Sequence, residues 1–135
     1  MGGDFRPTLT VWRNTIFEKS SSTTDKYTKN EKGKFNKDFN TSLMLLMYDE
    51  SFTRKIDGIK SNREIVQGLM KDLQNPPKKY KDAYDALNNF YDSYMELTNL
   101  AVGPSGSLES YTDGINNADT KSVNCYDKVK LYLED

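Results

Sequence analysis

Histidine is absent from all 135 residues, and cysteine occurs once. The first absence removes the commonest general base, and with it any Ser-His-Asp or Cys-His arrangement. The second rules out an internal disulfide. Together they leave no Cys/His spacing for a structural zinc. The single thiol, Cys125, has no histidine to turn it into a thiolate and is read as a small hydrophobe in the core. The eight glycines are scattered and form no phosphate-cradling loop. No apolar run approaches the roughly 20 residues of a membrane span. Met1-Gly2-Gly3-Asp4 lacks the apolar stretch of a signal peptide, and Arg6 stands where a myristoylation signal needs Ser or Thr. Met1–Gly3 reads as a start added ahead of the native chain.

Charge of one sign is missing too. The net charge is −1, with residues 1–40 at +3, residues 41–75 neutral and residues 76–135 at −4. A nucleic-acid partner needs a dense basic face. The Lys26–Lys37 stretch is diluted by Glu31, and acids flank it at Asp25 and Asp38, so no nucleic-acid partner is expected.

What the chain has is periodicity. From Tyr80 a stripe runs through Tyr84, Leu87, Tyr91, Tyr94, Thr98 and Ala101, in alternating steps of four and three. After Gly103-Pro104 a second stripe runs through Leu108, Tyr111, Ile115, Ala118, Ser122, Cys125, Val129 and Tyr132. That period lays one face of each segment against a partner helix. Gly103 fits the position just past a helix end, with proline following, and Ser105 or Ser107 fits the next N-cap. A loop this short makes the two helices antiparallel neighbours. Counting outward from the loop sets Tyr84 near Cys125, and Leu87 and Tyr91 level with Ser122 and Ala118.

Earlier in the chain, Phe52, Ile56, Ile59, Arg63, Val66, Met70 and Leu73 form another stripe. It is out of phase with Phe39, Leu43, Leu46 and Met47, so this helix should break near Asp49, with Asp49 or Ser51 capping the new start. Asn75-Pro76-Pro77 ends it, because a residue before proline avoids the helical region. The first segment, from Pro7, carries Leu9, Trp12, Ile16, Ser20, Thr23 and Tyr27 at helical spacing. Its middle, Ser20 to Thr24, is poor in helix propensity. It is either a helix held by tertiary contacts or a Ser/Thr linker after a short helix. The expected architecture is an all-α, up-and-down antiparallel four-helix bundle in a single domain of residues 1–135. The helices are placed at about 7–28, 36–48 plus 51–74, 77–102 and 107–133.

Four features invite a chemical reading. The small residues Ala118 and Ser122 opposite Leu87 and Tyr91 are either a packing notch or a ligand notch. Arg63 is the odd member of an apolar stripe. It snorkels to water, pairs with Asp92 or Glu96 on a facing helix, or binds an anion. The oxygens of Asp113–Asp119 lack calcium-loop order and fall within a helix, so no metal is expected there. Nine tyrosines against six phenylalanines suit half-buried core edges or a binding surface. No cofactor and no catalytic residue is expected.

The runs Tyr84-Asp85-Ala86-Leu87, Tyr91-Asp92-Ser93-Tyr94, Leu97-Thr98-Asn99-Leu100-Ala101 and Pro104-Ser105-Gly106-Ser107-Leu108 also carry a resemblance. With Asn75-Pro76-Pro77 and Asn117-Ala118-Asp119, they resemble small secreted helical proteins of Gram-positive (Firmicutes) bacteria, of the lipoprotein type. The likeness covers about residues 36–133. It implies an extracytoplasmic helical domain, held at the membrane only through a lipidated cysteine that this chain does not carry. It assigns no residue a role. The expected function is therefore a non-catalytic binding or structural module with a protein or cell-envelope partner. The alternative is a sensor or solute-binding bundle with a pocket between helices.

Overall fold

The computed structural model describes residues 6–19 and 22–133, and those residues are all-helical apart from loops and one isolated antiparallel bridge, Lys29 to Phe35. The expectation for Met1–Gly3 lies outside them, as do Ser20 and Ser21. Six α-helices follow in order: α1 (Arg6–Arg13), α2 (Asp25–Thr28), α3 (Phe39–Met47), α4 (Glu50–Asp72), α5 (Lys81–Val102) and α6 (Leu108–Lys130).

The described part of the first segment is divided rather than continuous. After α1 comes a π-helical turn, Asn14–Glu18, then a 3-10 turn, Ser22–Thr24, and the single turn of α2. The cause is local. Hydroxyl side chains compete with the backbone for its own hydrogen bonds. Thr15 Oγ1 donates to the Val11 carbonyl at 2.7 Å, and Thr28 Oγ1 donates to the Thr24 carbonyl at 3.1 Å. Asn14 Nδ2 donates to Thr24 Oγ1 at 3.0 Å and ties the two pieces together. Lys19 takes a left-handed conformation that ends the π turn.

Capping explains the other boundaries. Asp38 accepts the Thr41 N–H at the start of α3, and Asp49 accepts those of Ser51 and Phe52 at the start of α4. Ser107 and Ser110 satisfy each other's backbone N–H groups in a capping box at the start of α6. Gly106, with φ of 86°, makes the turn into that box. Gly33, with φ of 70°, closes the loop that Asn30 organises by accepting from the Lys32 and Lys34 N–H groups.

The α5–α6 hairpin is the most extensive packing in the molecule, with α4 laid along α5. The short elements α1, α2 and α3 gather at one end, where α1 meets α3 and α6. Two apolar clusters fill that end. One joins Trp12, Leu97, Ala101, Tyr111, Ile115 and Ala118; the other joins Val11, Leu46, Phe52 and Ile56. Trp12 stacks on Phe39 with centroids 4.0 Å apart and planes 7° apart. Ile59, Leu97 and Ala118 are the last residues of α4, α5 and α6 to reach either cluster from the short-helix end. Beyond them the three long helices run on without α1–α3, and their free ends form a tip.

The hairpin register is set by three contacts. The Tyr111 hydroxyl donates to the Leu100 carbonyl at 2.8 Å, Lys121 Nζ meets Glu96 at 2.9 Å, and the Phe90 and Tyr126 rings lie 5.6 Å apart. Ala118 accordingly packs in the cluster of Leu97 and Ala101, not level with Tyr91. Leu87 and Tyr84, expected near Ser122 and Cys125, line a groove with Val129 and Tyr132. Away from the loop, Glu96 and Phe90 thus meet Lys121 and Tyr126, residues further along α6 than the expected pairing gives, while Tyr111 stays close to its expected level beside Leu100. A heptad pattern is unchanged by a slide of one heptad, so the stripes define the facing sides and leave the register open.

Candidate functional site

The tip begins at the Asn75-Pro76-Pro77 turn. Leu73 is the C-cap of α4, and Asn75 takes a positive φ of 61°, which asparagine tolerates better than most residues. Pro77 then leads into a 3-10 turn, Lys78–Tyr80, that runs into α5. The double proline thus ends one helix and aims the next back along it. It also leaves the first turns of α5 with no shorter element to cover them.

A groove of about 570 Å³ opens there. Leu73 comes from α4 and Pro76 and Pro77 from the turn. Tyr80 comes from the 3-10 turn, Ala83, Tyr84 and Leu87 from α5, Val129 from the end of α6, and Tyr132 and Leu133 from the residues just past it. Tyr80, Tyr132 and Leu133 are 53%, 53% and 72% exposed, so this apolar lining is wet rather than packed. Asp72, Gln74 and Asn75 supply the polar edge. A size of this order suits a small ligand or a short apolar segment, and an aromatic-rich concave lining is what such ligands use.

A second depression of about 610 Å³ adjoins the groove and shares Gln74, Asn75, Pro76 and Tyr84 with it. It adds Lys78, Lys81 and Asp85. Lys81 Nζ meets Asp85 at 2.7 Å, and that hydrogen bond raises the lysine above its ordinary pKa. Lys78 has no carboxylate within ion-pair distance among the described residues. Lys79 lies over the Tyr80 ring, its Nζ 4.7 Å from the centroid. The groove is therefore apolar at one end and cationic at the other.

No family model matches this chain, and no curated protein or solved structure matches it either.

Ala118 and Ser122 are both fully buried, while Leu87 and Tyr91 are half-buried. The structure puts Ala118 in the core and Leu87 in the tip groove, and so separates two members of the notch. Ser122 Oγ has no hydrogen-bond partner among the described residues. Arg63 is half-buried, and its guanidinium donates to Asn99 Oδ1 at 2.6 Å. Glu96 is joined instead to Lys121. Cys125 is half-buried on α6 rather than enclosed. Asp113–Asp119 lies wholly within α6, and no group of three His, Cys, Asp or Glu among the described residues could hold a metal ion. No helix among them is long and apolar enough to cross a membrane.

At the opposite end, Thr10, Thr24, Tyr27, Ser51 and Lys55, with Val11, Leu46 and Phe52, line a mixed groove of about 370 Å³ among α1, α2, α3 and α4. Its hydroxyls serve partly as structural ties, as Thr24 does for Asn14. The tip groove is not legible in the sequence, because most of its apolar residues are also stripe members. The available signal was the length mismatch: a first segment broken by Ser and Thr cannot cover helices of 22 and 23 residues.

Proposed function

We propose that this protein is a non-catalytic helical binding module whose ligand-facing end is the tip groove. The observation that carries the reading is the uncovered apolar lining where α4, α5 and α6 run past the core. Soluble domains rarely leave such a lining open without a use for it. The chain on this reading is an up-and-down bundle of four helical segments. The divided α1–α2 segment is the short one, and α3 with α4 forms the segment broken at Asp49. The resemblance to secreted helical proteins of Gram-positive bacteria supports an extracytoplasmic setting, with attachment to the membrane through a lipid. The same groove unites the binding-module reading with the solute-binding one, since it lies between helices.

Nile red, an uncharged dye that brightens in apolar surroundings, tests the location. It should bind the wild-type protein at one saturable site. The double variant Tyr132→Ser/Leu133→Ser should lose that site while melting at an unchanged temperature, because both residues are largely exposed. Undiminished dye binding by that variant would place the ligand-facing surface elsewhere. Fractionation of cells carrying the full gene, with the product found in the cytosol, would sink the extracytoplasmic setting.

A further inference from the structure

Resting on the tip groove as the binding site, we infer that its ligand is a single-chain anionic amphiphile: an apolar tail in the groove and a carboxylate-type head at Lys78. Two observations on different residues meet here. The groove offers Leu73, Leu87, Val129 and the rings of Tyr84 and Tyr132 to a tail. The depression that continues it across Asn75, Pro76 and Tyr84 offers Lys78 to a head. Charge complementarity decides the sign. Asp85 is already held by Lys81, and Lys78 keeps an uncompensated positive charge among the described residues. Lys79, next in the chain, lies over the Tyr80 ring and lines neither cavity. Asp72 is the one acid among the groove's lining residues, and it belongs to α4 rather than to the lysine-bearing turn. A cationic amphiphile would meet Lys78 at the head position and be repelled. A neutral one would leave Lys78 without a counter-charge.

The tail end depends on area and the head end on charge, so the two separate experimentally. Decanoate and decanol share a tail and differ in the head. Calorimetric titration below the micelle limit, at low salt, should show one decanoate per chain. Decanoate should bind about fivefold more tightly than decanol, the size of a surface charge pair near 1 kcal/mol. Lys78→Glu should erase that preference and leave decanol within about twofold. Lys55→Glu, the same charge change at the opposite end of the molecule, should alter neither ligand. Raising the salt should remove the preference in the wild type, because exposed charges are screened.

Equal binding of the two ligands at low salt would overturn the anionic head. An equal effect from Lys55→Glu would do the same, since the charge sensed would then be global. Binding to anionic vesicles without binding to monomeric decanoate would replace the amphiphile with a bilayer surface. A concentration-dependent dimer abolished by Tyr132→Ser/Leu133→Ser would replace it with a second copy of the chain. Nile red held at the tip with decanoate refused would reject this ligand class and leave the tip-groove reading standing. Insensitivity of both probes to the tip variant would reject the two together.

Discussion

Ser122 shows how little a sequence says about a single buried oxygen. The position falls on the α6 stripe, so burial is legible, and the small side chain suits a notch. Only the packed structure shows that its hydroxyl has no partner among the described residues. A buried, unpaired hydroxyl costs roughly 1–3 kcal/mol by mutational measure. Ser122→Ala should therefore raise stability, by about 1 kcal/mol in urea denaturation; a loss of stability would mean that the oxygen is satisfied. Tyr111 is the opposite case. It is 1% exposed, and its hydroxyl donates to the Leu100 carbonyl. Burial pushes its pKa up to about 12, against an ordinary value of 10.0. The folded state thus favours the neutral ring, and the unfolded state ionises first. The stabilisation is complete below pH 10 and is lost as the pH rises toward 12. Tyr111→Phe should be less stable at neutral pH by about 1 kcal/mol and should flatten the alkaline fall. Unfolding curves of both proteins from pH 9 upward would show it. Arg63, bonded to a neutral Asn99 and only half-buried, should tolerate Arg63→Met within about 0.5 kcal/mol.

The helix boundaries were the part most open to local reading, because caps and breakers act over a few residues. The phase change near Asp49, the Asn75-Pro76-Pro77 stop and the Gly103 stop all lie where α3, α4 and α5 end or begin. The first segment was legible only in part. Its Ser/Thr run signalled weak helix, yet nothing local announced the π turn at Asn14–Glu18 or the Asn14–Thr24 tie. Asp49 does two jobs at one element boundary. It caps α4, and it meets Lys26 at 2.7 Å, which together hold its carboxyl well below the usual carboxylate range. A depressed carboxylate stabilises above its unfolded pKa, and that contribution fades as the pH falls below about 4. Asp49→Asn keeps the cap without the charge, and Asp49→Ala keeps neither. Melting temperatures at pH 7 should fall in the order wild type, Asn, Ala, and the wild type and Asn variant should converge in acid. Gly106 belongs to the same scale. Its φ of 86° disfavours any side chain, and a Cβ there would sit 2.7 Å from Ser110 Oγ, inside the capping box of α6. Gly106→Ala should cost more than about 1 kcal/mol. An unaffected melting curve would show that the turn relaxes.

At the scale of the whole molecule, the two clusters at the short-helix end and the thin tip predict unequal sensitivity. Ile115 is in the core cluster with Trp12, and Ile115→Ala should cost about 2–5 kcal/mol. Amide hydrogen exchange should follow suit. It should be slowest around Leu97 and Ile115, and faster in the first turns of α5 and the last turns of α6. The amino-acid sequence alone determined that the chain is helical, where the long helices stop, and which face of each turns inward. Hydrophobic period, caps and prolines are local and need no knowledge of partners. Tertiary structure decided the register of α6 on α5, because a heptad pattern repeats under a seven-residue shift and the contacts of Tyr111, Glu96 with Lys121, and Phe90 with Tyr126 choose among the alternatives. It also decided which stripe residues stay uncovered. Cover depends on the lengths of neighbouring elements, and the divided first segment stops short of Tyr80, Tyr84 and Tyr132. The groove at the tip follows from that shortfall.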